Sequence, residues 1–147
     1  MADMPEPVYR MVVHPDTNKV LTTVSPEGEP HSIICGSLTA AASDTIAVAE
    51  VYMYRTAANL ESNPAAEILV WKGREAYSIK VEAVERIESG PILEKMARDL
   101  EKMHMKVVAV WLFRVTGIWD EGIGNLTGSQ VVRWTWQAGP AYPNILR

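Results

Sequence analysis

The chain reads as a mainly β, single-domain protein: a closed or nearly closed antiparallel barrel with one or two short helices and one longer helix. Three observations lead there. Strand-like stretches predominate and fold back on themselves at Pro26-Glu-Gly28 and Lys72-Gly-Arg74, turn sequences that join antiparallel neighbours. No regular alternation of strand and helix appears of the kind a parallel sheet requires. Finally, 147 residues with 48% apolar and 22% charged content describe one ordinary globular unit able to bury a core without staples.

Residues 1–17 hold three prolines and a His-Pro-Asp turn, which predicts an irregular arm with at most one helical turn around residues 8–12. In residues 19–25 the β-branched Val20, Thr22, Thr23 and Val24 predict a strand, and residues 30–39 its return. Residues 45–49 are short, apolar and bounded by Ser43-Asp44, and so form a third strand. A brief helix follows, favoured by Ala57, Ala58 and Leu60 and ended by Asn63-Pro64.

Residues 67–71 predict a fourth strand. Residues 75–87 predict a fifth, in which Tyr77, Ile79, Val81 and Ala83 alternate with Ser78, Lys80 and Glu82. Ser89 with Pro91 starts the longer helix, which runs to Met103 with Leu93, Met96, Ala97, Leu100 and Met103 on one side, a core stripe rather than a cofactor box. The unbroken apolar run 107–113 suits a stave covered on both faces, as at a subunit interface. A Gly-rich loop over 120–128 leads to a last strand over 130–136, with Val132, Trp134 and Trp136 on one face. The domain thus spans 18–136, after an arm at 1–17 and before a tail at 137–147 that holds two prolines.

The stretch with chemical content is 52–64, Tyr-Met-Tyr-Arg-Thr-Ala-Ala-Asn-Leu-Glu-Ser-Asn-Pro. It places Arg55 and Thr56 at the start of a helix, where the first amides lack internal partners and the aligned dipoles favour an anion. Phosphate suits such a corner. Arg55 adds a forked, permanent cation, and Thr56 serves either as N-cap or as a hydroxyl donor to a phosphate oxygen. The same pattern also describes an ordinary capped surface helix.

Other chemistry finds little support. The net charge of −4 and the scattered Lys and Arg give no nucleic-acid footprint. His14, His31 and His104 stand apart without partners at metal spacing. Gly122, Gly124 and Gly128 have the wrong spacing for a dinucleotide fingerprint, and no nucleophile elbow occurs. The single Cys35 excludes an internal disulfide and reads as a small buried hydrophobe. With no membrane-length apolar run and no secretory leader in Met-Ala-Asp-Met-Pro-Glu-Pro, the expectation is a cytoplasmic protein away from membranes.

Three blocks in this order resemble the FMN-binding split β-barrel family, the group similar to pyridoxamine 5'-phosphate oxidase and the small bacterial FMN-binding proteins. They are residues 20–31 (Val-Leu-Thr-Thr-Val-Ser-Pro-Glu-Gly-Glu-Pro-His), 53–64, and 76–83 (Ala-Tyr-Ser-Ile-Lys-Val-Glu-Ala), the last followed by a helix and the apolar strand 107–115. Together they cover roughly residues 18–118. The resemblance implies an antiparallel split β-barrel and FMN as cofactor. It further implies a flavin held by Ser32, Ile33, Ile34, Cys35 and Gly36 along the ring, by Glu50, Val51, Tyr52 and Met53 on the edge leading to the phosphate, and by Arg55 and Thr56 at the phosphate. It also implies a homodimer with a flavin near the interface, where an aromatic of the partner chain such as Trp111 or Trp119 would cover the ring, although both read first as plain core or interface packing.

The sequence departs from the family's oxidases where they carry a basic residue at the position of Thr56, polar residues at those of Ile34 and Gly36, and a longer arginine-containing end. The expectation is therefore a flavin redox protein, reductase or electron carrier, with no catalytic side chain of its own and an unidentified small-molecule substrate or redox partner. Pyridoxamine phosphate oxidation is not expected. The alternative is a non-catalytic barrel that has lost flavin or binds another cofactor such as a deazaflavin, whose acidic tail would want more cations than Arg55.

Overall fold

A computed structural model describes residues 2–133. It is mainly β, one antiparallel sheet of eight strands with three helices. In chain order these are α1 (Glu6–Val13), β1 (Asn18–Val24), β2 (Pro30–Ile34), β3 (Thr39–Ala42), β4 (Thr45–Glu50), α2 (Tyr54–Ser62), β5 (Ala65–Lys72), β6 (Glu75–Ile87), α3 (Pro91–Glu101), β7 (Ala109–Asp120) and β8 (Gln130–Arg133). The sheet runs β2-β1-β5-β6-β7-β4-β3, and β8 pairs with β7 at Gly117, Ile118 and Trp119, beyond the stretch that β4 pairs. The expected tail at 137–147, with Trp134 and Trp136, lies outside the described residues.

The return strand expected over 30–39 is instead two strands. β2 pairs with β1 and β3 pairs with β4, at opposite ends of the sheet, and only residues 35–38 link them. Cys35 still donates its amide to Lys19 O at 3.0 Å, and Leu38 turns back onto Cys35 O at 3.2 Å. The curled sheet is thus drawn together by chain rather than by a ladder, which is what splits the barrel. Bulges between Lys80 and Val81 and between Ala83 and Glu85 help bend β6 around it.

Leu21, Ile46, Ile68, Val70, Ile79, Phe113 and Ile118 fill the interior, none of them more than 1% exposed. α1 is a full two turns rather than the expected single one. Its Val8, Met11 and Val12 are buried in the same core, as are Ala2 and Met4, so the arm belongs to the barrel.

β4 explains its own composition. Ile46 and Val48 point inward, whereas Ala47 and Ala49 face α3, whose Met96 and Leu100 pack on them with Val107 and Val110. Small residues let the helix lie close. The second face of the apolar β7 run is therefore covered here by α3 of the same chain, at Val110 and Leu112, and β7 extends beyond the expected limit to Asp120. α3 starts at Pro91 behind Gly90 (φ +108), a left-handed position suited to glycine, and no side chain caps it, so Ser89 does not take the expected role. Met103, expected on the core stripe, is 57% exposed beyond the helix end.

Candidate functional site

α2 leaves β4 through the residues 51–53 and lies against β1 and β2. Asn59 anchors it, its Nδ2 donating to Thr23 Oγ1 at 3.1 Å within the core. The first intrahelical bond of α2 runs from Ala57 N to Met53 O. The N-cap is Met53, which has no side-chain acceptor, so Thr56 is the third helical residue rather than the cap. The amides of Tyr54, Arg55 and Thr56 consequently meet no acceptor among the described residues.

Two side chains complete this corner. Arg55 is exposed and makes no ion pair with any described residue. Thr56 is fully buried, and its Oγ1 has no hydrogen-bond partner among the described residues. An unsatisfied buried hydroxyl costs on the order of 1–3 kcal/mol, and most such groups find a partner. A cleft of about 600 Å³ opens at this point, lined by His31, Ile33, Tyr52, Met53, Arg55 and Thr56 among others. Free amides, an unpaired guanidinium and an orphan hydroxyl form the donor set an oxyanion requires. FMN's phosphate fits that donor set chemically.

Tyr52 stands at the mouth with φ +51, a left-handed conformation rare for an aromatic residue, and is 75% exposed. Tyr54 is 81% exposed beside it. Neither is held there by packing of its ring. Backbone strain and bare aromatic surface in one place are features that cluster at ligand sites.

Glu50, just ahead, is committed elsewhere. Arg86 grips it with Nε to Oε1 at 3.1 Å and Nη2 to Oε2 at 3.0 Å, and Trp111 Nε1 donates to Oε1 at 2.8 Å. The Arg86 guanidinium, more than the indole, holds this carboxyl below its ordinary pKa against the opposing effect of burial. Glu50 lines a neighbouring cleft with Arg86, Lys106 and Val108, separated from the first by Tyr52 and Tyr54.

Residues 9–130 match the family model described as pyridoxamine 5'-phosphate oxidase. The chain belongs to that family. Solved structures agree on the fold. HupZ of Group A Streptococcus is 19% identical with a TM-score of 0.71, over 82% of this chain and 96% of that one. An FMN-binding protein from Syntrophomonas wolfei is 17% identical with a TM-score of 0.69, over 80% and 85%. An F420 reductase is 13% identical with a TM-score of 0.63, over 78% and 98%. No curated protein sequence matches the chain.

Within this member of the pyridoxamine 5'-phosphate oxidase family, the expected site residues separate. Ile33, Tyr52, Met53, Arg55 and Thr56 share the cleft. Ser32, Ile34 and Gly36 are exposed on the outer side of the β2 end, whereas Cys35 is buried inside and Val51 packs toward α3. A strand turns successive side chains to opposite faces, so a ring lying along Ser32 through Gly36 would meet the segment through its backbone groups rather than through every side chain. His31, read from sequence as an isolated histidine, lines both this cleft and its neighbour over Glu27 and Glu29. Its position in the Pro30-His31 step at the head of β2 was the available signal. Lys106 and Arg86 had none, because they reach the site from other strands and loops.

Proposed function

We propose that this chain binds FMN, with the phosphate at the α2 corner and the ring along the Tyr52 side of the β2 and β4 ends, and that it serves as a flavin redox protein. The observation that carries this reading is the convergence of three uncapped amides, unpaired Arg55 and the orphan Thr56 hydroxyl in one cleft. When bound, FMN would supply hydride or electron transfer; the chain would supply binding, orientation and shielding from water.

The test is titration of the purified protein with FMN, with absorbance and calorimetry as readouts. A yellow protein that releases FMN on heating supports the proposal; a colourless one that takes up no added FMN sinks it. Arg55→Ala removes a charged donor worth about 1.5–3 kcal/mol and weakens FMN roughly ten- to a hundredfold. An affinity within about twofold of the parent would show that Arg55 does not hold the phosphate.

A homodimer is part of the same proposal. Ile34, Val20, Leu69, Ser78 and Trp119 stand directly opposite one another across β2, β1, β5, β6 and β7, so they share the outer face. Ile34 is 88% exposed. Partly exposed apolar surface of this kind, interrupted by the buried Ser78, marks an interaction surface, and a second copy would cover it beside the cleft. Ile34→Glu should shift the mass measured by light scattering from dimer to monomer, and a parent that is already monomeric would refute this part.

A deazaflavin is the second reading, favoured by Lys106. Its exposed ammonium lies in the adjoining cleft, where an acidic tail extending past Tyr54 would meet it. Competition between FMN and F420 for the same protein separates the two.

A further inference from the structure

On the far side of the β2 end from the phosphate corner, between α3 and the β3–β4 edge, lies a cavity of about 490 Å³. It shares only Gly36 with the residues assigned to flavin above. Leu38, Ala47, Met96 and Leu100 supply the apolar part of its lining, beside the polar Ser37 and Thr39. At its base is Lys19, only 6% exposed.

Lysine is almost never buried unless paired with an anion, and Lys19 has no such partner among the described residues. Its Nζ donates to Leu38 O at 2.8 Å, which uses one of three N–H donors. The titratable group that acts on it is Cys35, and that thiol is neutral at ordinary pH because burial pushes it up to about 11. No compensating charge therefore meets it among the described residues. On the rim, Lys95 and Asp99 stand one turn apart on α3 and cancel, which leaves the buried ammonium as the net charge of the cavity.

We infer that this cavity is a second ligand site, for a small organic carboxylate with an aliphatic body, whose carboxylate meets the buried Lys19 ammonium while its chain lies against Leu38, Met96 and Leu100. Burial is what makes the pair effective, because a charge-assisted hydrogen bond out of water is stronger than one at the surface. The apolar part of the lining offers water little in exchange, whereas an aliphatic chain gains by leaving water there. The site stands on different residues from the phosphate corner and does not depend on flavin being bound.

Decanoate and decanol serve as matched probes for the full-length protein, followed by calorimetry and by amide chemical shifts of isotope-labelled samples. Decanoate should bind, shift resonances of α3 and β3, and do so at least about tenfold more tightly than decanol, ~1.4 kcal/mol in its favour. Lys19→Met, close to isosteric, should erase that preference. Met103→Glu, at an exposed rim position, should weaken decanoate through repulsion without touching the fold, and so tests the site even if Lys19→Met does not fold. Arg55→Ala should leave decanoate affinity within about twofold, which keeps this site distinct from the flavin reading. Equal binding of decanol, a Lys19→Met variant that keeps the preference, or no binding at millimolar decanoate would each overturn the inference.

Discussion

Arg86 of β6 reaches past β7 to hold Glu50 at the end of β4 with two parallel hydrogen bonds, 3.1 and 3.0 Å long. Its guanidinium also lies 6.0 Å from the centre of the Trp111 ring, whose indole donates to the same carboxylate. Glu50 is two residues from Tyr52 with its left-handed backbone. The clamp thus fixes the last ordered rung of β4 before the chain turns sharply into α2, and it positions the cleft from behind.

Arg86→Ala should therefore cost about 1–2 kcal/mol, a figure discounted because the guanidinium is a third exposed. Since the Glu50 carboxyl titrates below its ordinary range in the folded protein, its stabilising contribution is present above the unfolded-state value and fades as pH falls through the lower, folded one. Glu50→Gln should flatten that acid limb. Urea unfolding followed by tryptophan fluorescence at several pH values checks both.

Thr56→Val keeps the shape of the side chain and deletes a buried hydroxyl that has no partner. The ligand-free protein should gain up to about 1 kcal/mol of stability, since the unmet desolvation cost disappears. FMN affinity should fall roughly tenfold. If stability dropped instead, the hydroxyl would have to be serving the fold rather than a ligand.

Tyr52 tests the strain at the cleft mouth. Its ring is mostly exposed, so Tyr52→Gly removes little packing, and the freedom gained at φ +51 offsets the added flexibility of the unfolded chain. Stability should stay within about 1 kcal/mol of the parent. Tyr52→Val, β-branched and ill suited to that conformation, should cost more than 1 kcal/mol by order of magnitude. Thermal unfolding of the two variants side by side gives the comparison.

Cys35 predicts an alkaline response. Its thiol rises from an ordinary 9.0 to about 11, mainly through burial. Between those values the unfolded chain has lost the proton and the folded one still binds it, so stability declines as pH rises through the window, by about 2–3 kcal/mol at most. Burial of Lys19 acts in the opposite sense, its pKa being lowered. Subtracting the profile of Cys35→Ala isolates the thiol, and the native protein should resist alkylation at pH 8 until unfolded.

Much of the barrel was legible before any coordinates. The alternation of Tyr77, Ile79 and Val81 marked β6 with its observed ends, because a half-buried strand writes its period of two into the chain. The uniform 107–113 run announced burial on both faces, though what covers the second face came from α3, a distant partner that local pattern cannot name. The division of 30–39 into β2 and β3 was hidden for a related reason: both halves have strand composition, and only their pairing with β1 and β4 separates them.

What the chain determined by itself was most of the elements and the family, since propensity, periodicity and motif order are properties of neighbouring residues. Tertiary structure alone decided that Met53 rather than Thr56 caps α2, that the Thr56 hydroxyl is left without a partner, that Arg86 clamps Glu50, and that Lys19 is buried. Each of those depends on which groups from remote strands arrive, or fail to arrive, within hydrogen-bond reach, and that distance is fixed only when the sheet curls and its two edges meet.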